Sequence, residues 1–184
     1  VKIYNKNLEV ISDKTDICSV TGYELSAISG VYDSGLDMYC VDVDKSEIKF
    51  MNTSSDFERK MILPVDFALN IDDLCAAHTL HNGNLLIGFC DYENNVTYYD
   101  EYSRSTGELI NTYELARTEN TIIPGNDKYS FFYQSSDGFY GILSTDGTKE
   151  KIIDEKINDD EVPGTYNVRY DNINNRALLF NNYN

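Results

Sequence analysis

Positive charge is in short supply. Fifteen Lys and Arg stand against 31 Asp and Glu in 184 residues, a formal net charge of −16 and a pI near 4.3. Proteins that bind nucleic acid need a positive footprint to offset phosphate, so that class is excluded. Docking on anionic lipid is excluded on the same ground. Long apolar runs are missing as well: none approaches the roughly 18 residues of a membrane span. Helical periodicity is nearly absent. The best stretch, residues 65–78, holds Asn70 and the pair Asp72-Asp73 and has no sustained apolar stripe. Prolines number only three, Pro64, Pro124 and Pro163, all between β-rich runs, where a missing amide does least harm.

Hydrophobic residues at 41% and aromatics at 12% are enough for a packed core, so global disorder is not expected. Short alternating runs dominate, bounded by hairpin signals at Asp33-Ser34-Gly35, His81-Asn82-Gly83-Asn84, Ser105-Thr106-Gly107, Ser136-Asp137-Gly138 and Asp146-Gly147. The chain reads as all-β. Cys18, Cys40, Cys75 and Cys90 sit in apolar, strand-like settings and form no C-x-x-C or zinc spacing. They are expected to be small core residues. A disulfide in an oxidising compartment is the alternative, and spacing does not choose its pairing. The chain opens on Val1 with no signal peptide or lipobox, so it is expected to be processed or an excerpt of something longer.

The strand runs repeat. One unit reads as strands at 74–80, 84–90, 95–102 and 108–115, a second at 23–32, 36–43, 47–52 and 57–63, and a third across 121–153. Recurring starts lie about 44 to 48 residues apart, the spacing of a four-stranded propeller blade. The ends hold a further pair each, near 1–12 and 165–182, which would combine into one blade. The expectation is a single β-propeller-like domain of about four blade units, 1–12 with 165–182, 23–63, 74–115 and 121–153. A closed four-bladed ring and an arc of a larger propeller fit equally, and a β-sandwich is the competing architecture.

Three stretches carry a resemblance. They are Met38-Tyr39-Cys40-Val41-Asp42 running on to Pro64, then Gly83-Asn84-Leu85-Leu86-Ile87, then Gly107-Glu108-Leu109-Ile110-Asn111-Thr112-Tyr113. They resemble the degenerate blades of bacterial β-propellers of the NHL/TolB-like kind, and in particular the six-bladed surface propellers of gut anaerobes. Without Trp, no unit shows a Trp-Asp ending, so a WD40 assignment is poor. The resemblance implies an extracytoplasmic binding or scaffold protein, at the cell surface or in the periplasm, and brings no catalytic residues with it.

Chemistry-bearing patterns are few. His78-x-x-His81 has a metal-binding spacing on a helix, but in a hairpin approach residues three apart face opposite sides of a strand. The run Asp42-Val43-Asp44-Lys45-Ser46-Glu47 opens like a calcium loop. It then places Glu47 where Gly belongs and Thr53 where a bidentate Glu belongs. No P-loop, G-x-S-x-G or nucleophile–base signature is present. No metal or cofactor is therefore expected, and no catalytic residue is assigned.

In a blade register, the loops between second and third strands emerge on one face, together with the links between blades. That face would carry Asp42, Asp44, Glu47, Asp91, Glu93 and Asp137, with Tyr92 among them. These seven are the candidate ligand-binding residues. Acids focused on one rim would favour a cationic or metal-bridged ligand or a basic partner patch, and otherwise serve solubility. The tyrosine-rich segment 92–102 could stack on sugar or peptide, or simply pack as good strand residues. The functional expectation is non-enzymatic recognition of a protein, peptide or glycan, by this chain alone, within a longer one or as an oligomer. A hydrolase or lyase using acids near a central channel is the alternative.

Overall fold

A computed structural model describes residues 2–4, 6–13, 24–42, 47–54, 58–62, 74–116, 120–135, 137–154, 166–171 and 176–181. The described residues form strands and turns, and no helix. Of the stretch nearest to a helical pattern, residues 65–73 lie outside the described residues and 74–79 are strand. The chain divides into two compact units, residues 1–71 and 72–184.

In the first unit, β1 (Lys2–Tyr4) and β2 (Val10–Asp13) form a two-stranded sheet. β3 (Glu24–Tyr32), β4 (Gly35–Asp42), β5 (Glu47–Asn52) and β6 (Glu58–Ile62) form a four-stranded antiparallel meander. Asp33 and Ser34 link β3 to β4 with φ of 47° and 62°. Two successive left-handed residues match the right-handed twist of a hairpin, which short polar side chains tolerate. Tyr39, Ile48, Phe50 and Met51 are buried, with the Tyr39 and Phe50 rings 6.1 Å apart.

The strand ends of this meander are tied by Asn52. Its Nδ2 donates to Asp37 Oδ1 at 2.9 Å and to Tyr32 O at 2.9 Å. Its Oδ1 accepts from Ser54 N at 2.9 Å and Ser54 Oγ at 2.7 Å. A Cβ on Gly35 would overlap Asn52 Oδ1 and Ser54 N. Gly35→Ala is therefore expected to destabilise the protein by about 1–3 kcal/mol through forced displacement of this network. Urea unfolding tests it, and an unmoved midpoint would mean that the network yields freely.

Cys40 is buried in this sheet beside Met51, as expected of a core residue. It is also disulfide-bonded, which corrects the simpler reading of four core thiols. Its partner lies outside the described side chains. Cys90 is a buried free thiol.

In the second unit, β7 (Leu74–Thr79), β8 (Leu85–Asp91), β9 (Val96–Tyr102) and β10 (Leu109–Ala116) form one four-stranded meander. β11 (Asn120–Pro124), β12 (Tyr129–Ser135), β13 (Gly138–Leu143) and β14 (Lys149–Ile153) form the next, and β15 (Tyr166–Asp171) with β16 (Arg176–Asn181) a two-stranded sheet. β11 neighbours both β7 and β15, so the first strands of three consecutive sheets stand side by side. Pro124 ends β11, an edge strand, where its missing amide is tolerated.

Burial follows strand position. The apolar run Leu85-Leu86-Ile87-Gly88-Phe89-Cys90 is buried at every residue, as is the whole of β12, because both faces of these inner strands are covered. The outermost β10 alternates instead, burying only Tyr113 and Leu115. The two meanders meet through Leu86, Tyr99, Tyr113 and Leu115 on one side and Phe131, Tyr133 and Ile142 on the other. Phe131 is the hub. Its ring lies 5.0 Å from Tyr113, edge-on at 82°, and 6.0 Å from Tyr99, the arrangement the aromatic quadrupole favours. Phe132, next in sequence, points the other way and packs with Tyr129 and Phe139.

Candidate functional site

The residues nominated from sequence divide into three groups. Asp42 ends β4 and Glu47 opens β5, and the two pair across the ladder. Their side chains, and all of Asp44, lie outside the described residues. Asp91, Tyr92 and Glu93 lie together on the β8–β9 turn. Asp137 directly precedes β13, at the end of the β12–β13 turn in the same unit.

Asp91 shapes its own turn. Its Oδ1 accepts from Glu93 N at 3.1 Å and Asn94 N at 3.0 Å, and its Oδ2 from Asn94 Nδ2 at 2.8 Å. Those bonds, led by the Asn94 side chain, hold the carboxyl below its ordinary range. Asn95 closes the turn in the left-handed region at φ 57°, which asparagine tolerates. The outcome is a braced loop that presents Tyr92, 49% exposed, and an exposed Glu93.

Asp137 is engaged as well. It accepts from Tyr140 Oη at 2.8 Å and Lys151 Nζ at 3.2 Å. Lys151 also contacts Asp154 at 2.6 Å and lies 5.7 Å above the Tyr140 ring. Tyr140 in turn stacks on Tyr133 at 5.3 Å. Of the nominated acids, Asp91 thus braces its own turn and Asp137 joins an ion pair.

The Tyr140 hydroxyl, then Lys151, holds the Asp137 carboxyl below its ordinary range. A carboxyl depressed in the folded state contributes stability above its unfolded pKa and loses it as pH falls through the folded one. The Tyr140 ring resonances are therefore expected to shift on acidification below pH 3.8, the group's ordinary value. NMR titration of wild type against Asp137→Asn tests this, the variant giving a flat curve.

A second constellation escapes a reading by exposed patches. Asp100 and Glu101, adjacent on β9, are both buried, on opposite faces of a covered strand. Asp100 accepts from Thr112 Oγ1 at 2.6 Å and from Tyr102 Oη at 3.3 Å. Tyr113 Oη and Asn84 Nδ2 each donate to Glu101 at 2.7 Å. Burial, then the bond to Glu101, pushes the Tyr113 phenol up to about 12. Each carboxylate meets two donors, the condition under which a buried acid is tolerated. Their role is architectural.

The two histidines do not act as a pair. His78 lies in β7, with burial lowering its pKa. His81 Nε2 instead meets Asp127 Oδ1 at 3.2 Å, linking the β7–β8 and β11–β12 turns.

No family model matches the chain, and neither the curated proteins nor the solved structures gave a match.

Proposed function

We propose that this chain is a non-enzymatic recognition module on a β-propeller-type scaffold of the NHL/TolB-like kind, binding a protein, peptide or glycan at the bacterial surface or in the periplasm. The braced β8–β9 turn carries the reading. An aromatic beside an acid on a loop locked by three hydrogen bonds is pre-organised, which lowers the ordering cost of binding. Consecutive four-stranded meanders packed face to face, with their first strands adjacent, support the propeller. The Cys40 disulfide supports an oxidising compartment.

The test is a peptide and glycan array probed with wild type and Tyr92→Ala. The expected result is a discrete set of bound probes, recovered unchanged, whose signal drops about tenfold in the variant, equivalent to about 1.4 kcal/mol. Turnover of a bound probe, or a variant that binds like wild type, would overturn the reading.

A further inference from the structure

A cleft of about 240 Å³ runs between β10 and the β13–β14 hairpin, lined by residues 111–115 on one side and by Ile142, Asp146, Gly147 and Lys149 on the other. Successive strand residues point to opposite faces. A hollow touching five in a row therefore follows the edge of the strand rather than one of its faces. β10 is the outermost strand of its sheet.

The edge offers backbone. Thr112 N–H donates to the neighbouring Asn111 Oδ1 at 3.0 Å, which turns this amide away from β9. Alternation in an antiparallel ladder then turns the Glu114 amide the same way. Edge strands are ordinarily guarded by Lys, Arg or Pro. β14 carries Lys149 and Lys151, whereas β10 has none of these types. At its start Leu109 and Ile110 are each 53% exposed, beside the register shift at Ile110.

Size and charge select the occupant. The volume falls below the roughly 300–1,000 Å³ of sites for drug-sized molecules. Glu114 is exposed, and the Asp146 carboxyl is kept ionised by the Thr148 amide. Among the described lining residues the one cation, Lys149, lies 5.5 Å above the Tyr133 ring. The groove is thus acidic on a chain of net charge −16.

We infer that β10 accepts an extended segment of a partner protein, carrying Lys or Arg, as an added strand. This rests on the recognition-module reading and names the class of partner. Because Ala116 pairs with Val96, the added strand runs toward the braced turn that displays Tyr92.

Fluorescence anisotropy tests it with two fluorescein-labelled peptides, Lys-Val-Lys-Val-Lys-Val-Lys and the same sequence with Glu for Lys. The lysine peptide is expected to bind wild type and the glutamate peptide to fail. Glu114→Pro removes an outward amide at an edge, where proline is tolerated, and is expected to weaken binding at least about tenfold. Glu114→Lys keeps the amide and repels the probe, so it should weaken binding even if the proline variant folds poorly. Amide exchange at Glu114 should slow when the lysine peptide is added.

Equal binding by wild type and both Glu114 variants would overturn the inference. So would a wild-type dimer by light scattering that Glu114→Pro dissolves, since a second copy would then own the edge. Failure of the lysine peptide on wild type, with Tyr92-dependent array hits retained, removes the groove and keeps the module. Failure of both removes both.

Discussion

Phe131→Ala is expected to lower the free energy of unfolding by about 3–5 kcal/mol, the largest effect of any single truncation in the core. Phe131 is fully buried where the two meanders of the second unit meet, touching aromatic rings from β9 and β10. Truncation removes burial, two ring contacts and close packing at one stroke, and flanking strands cannot collapse into the gap without breaking register. Phe131→Leu should cost less, since part of the volume is kept. Urea unfolding curves for the pair test this. A Phe131→Ala loss below about 1 kcal/mol would mean that the sheets re-pack freely, contrary to the close packing of protein interiors.

Glu101→Ala comes next, at about 2–4 kcal/mol, because it strands the buried Tyr113 hydroxyl and the half-buried Asn84 amide at once and a buried orphan costs about 1–3 kcal/mol. Glu101→Gln should cost less, since the amide oxygen still receives one of them. A double-mutant cycle with Tyr113→Phe isolates the bond: the two losses should fall short of additive by about 1 kcal/mol. Alkali provides an independent readout. The Tyr113 phenol is raised from 10.0 to about 12 in the folded state. A raised folded pKa contributes stability below the unfolded value and loses it as pH rises through the folded one. Stability should therefore drop between about pH 10 and 12 in wild type, with a smaller drop in Tyr113→Phe. Equal alkaline losses in both proteins would remove this phenol as the cause.

Much of the strand plan was legible from sequence because period-two patterning and turn chemistry are local. Asp33-Ser34-Gly35 announced a hairpin, and the structure closes it with two left-handed residues. The run 84–90 read as a strand; that both of its faces are covered is a finding of the structure. The candidate rim was legible only as position. That Asp91 and Asp137 fall in turns follows from the pattern; that each is consumed there depends on Asn94 and on Lys151, the latter 14 residues away. The Asp100-Glu101 pair did carry a signal. Adjacent residues in a strand face opposite ways, so two acids in a row within a doubly covered strand must put both carboxylates inside. What the sequence lacked was the identity of the donors, which come from β9 itself, β10 and the β7–β8 turn.

The two meanders of the second unit also share a detail of construction. Ser103 N bonds Glu108 O and Gly107 N bonds Ser103 O; Leu143 N bonds Thr148 O and Gly147 N bonds Leu143 O. Both turns close by the same two bonds, and both place a left-handed glycine fifth of six. Every described ladder, moreover, joins strands that are consecutive along the chain. A gene duplication that inserted one more block of strands would interrupt no existing ladder, and the connectors already conform to a common pattern. Such an architecture can lengthen by accretion, each copy arriving with its own hydrogen bonds complete and needing only a compatible apolar face on its neighbour.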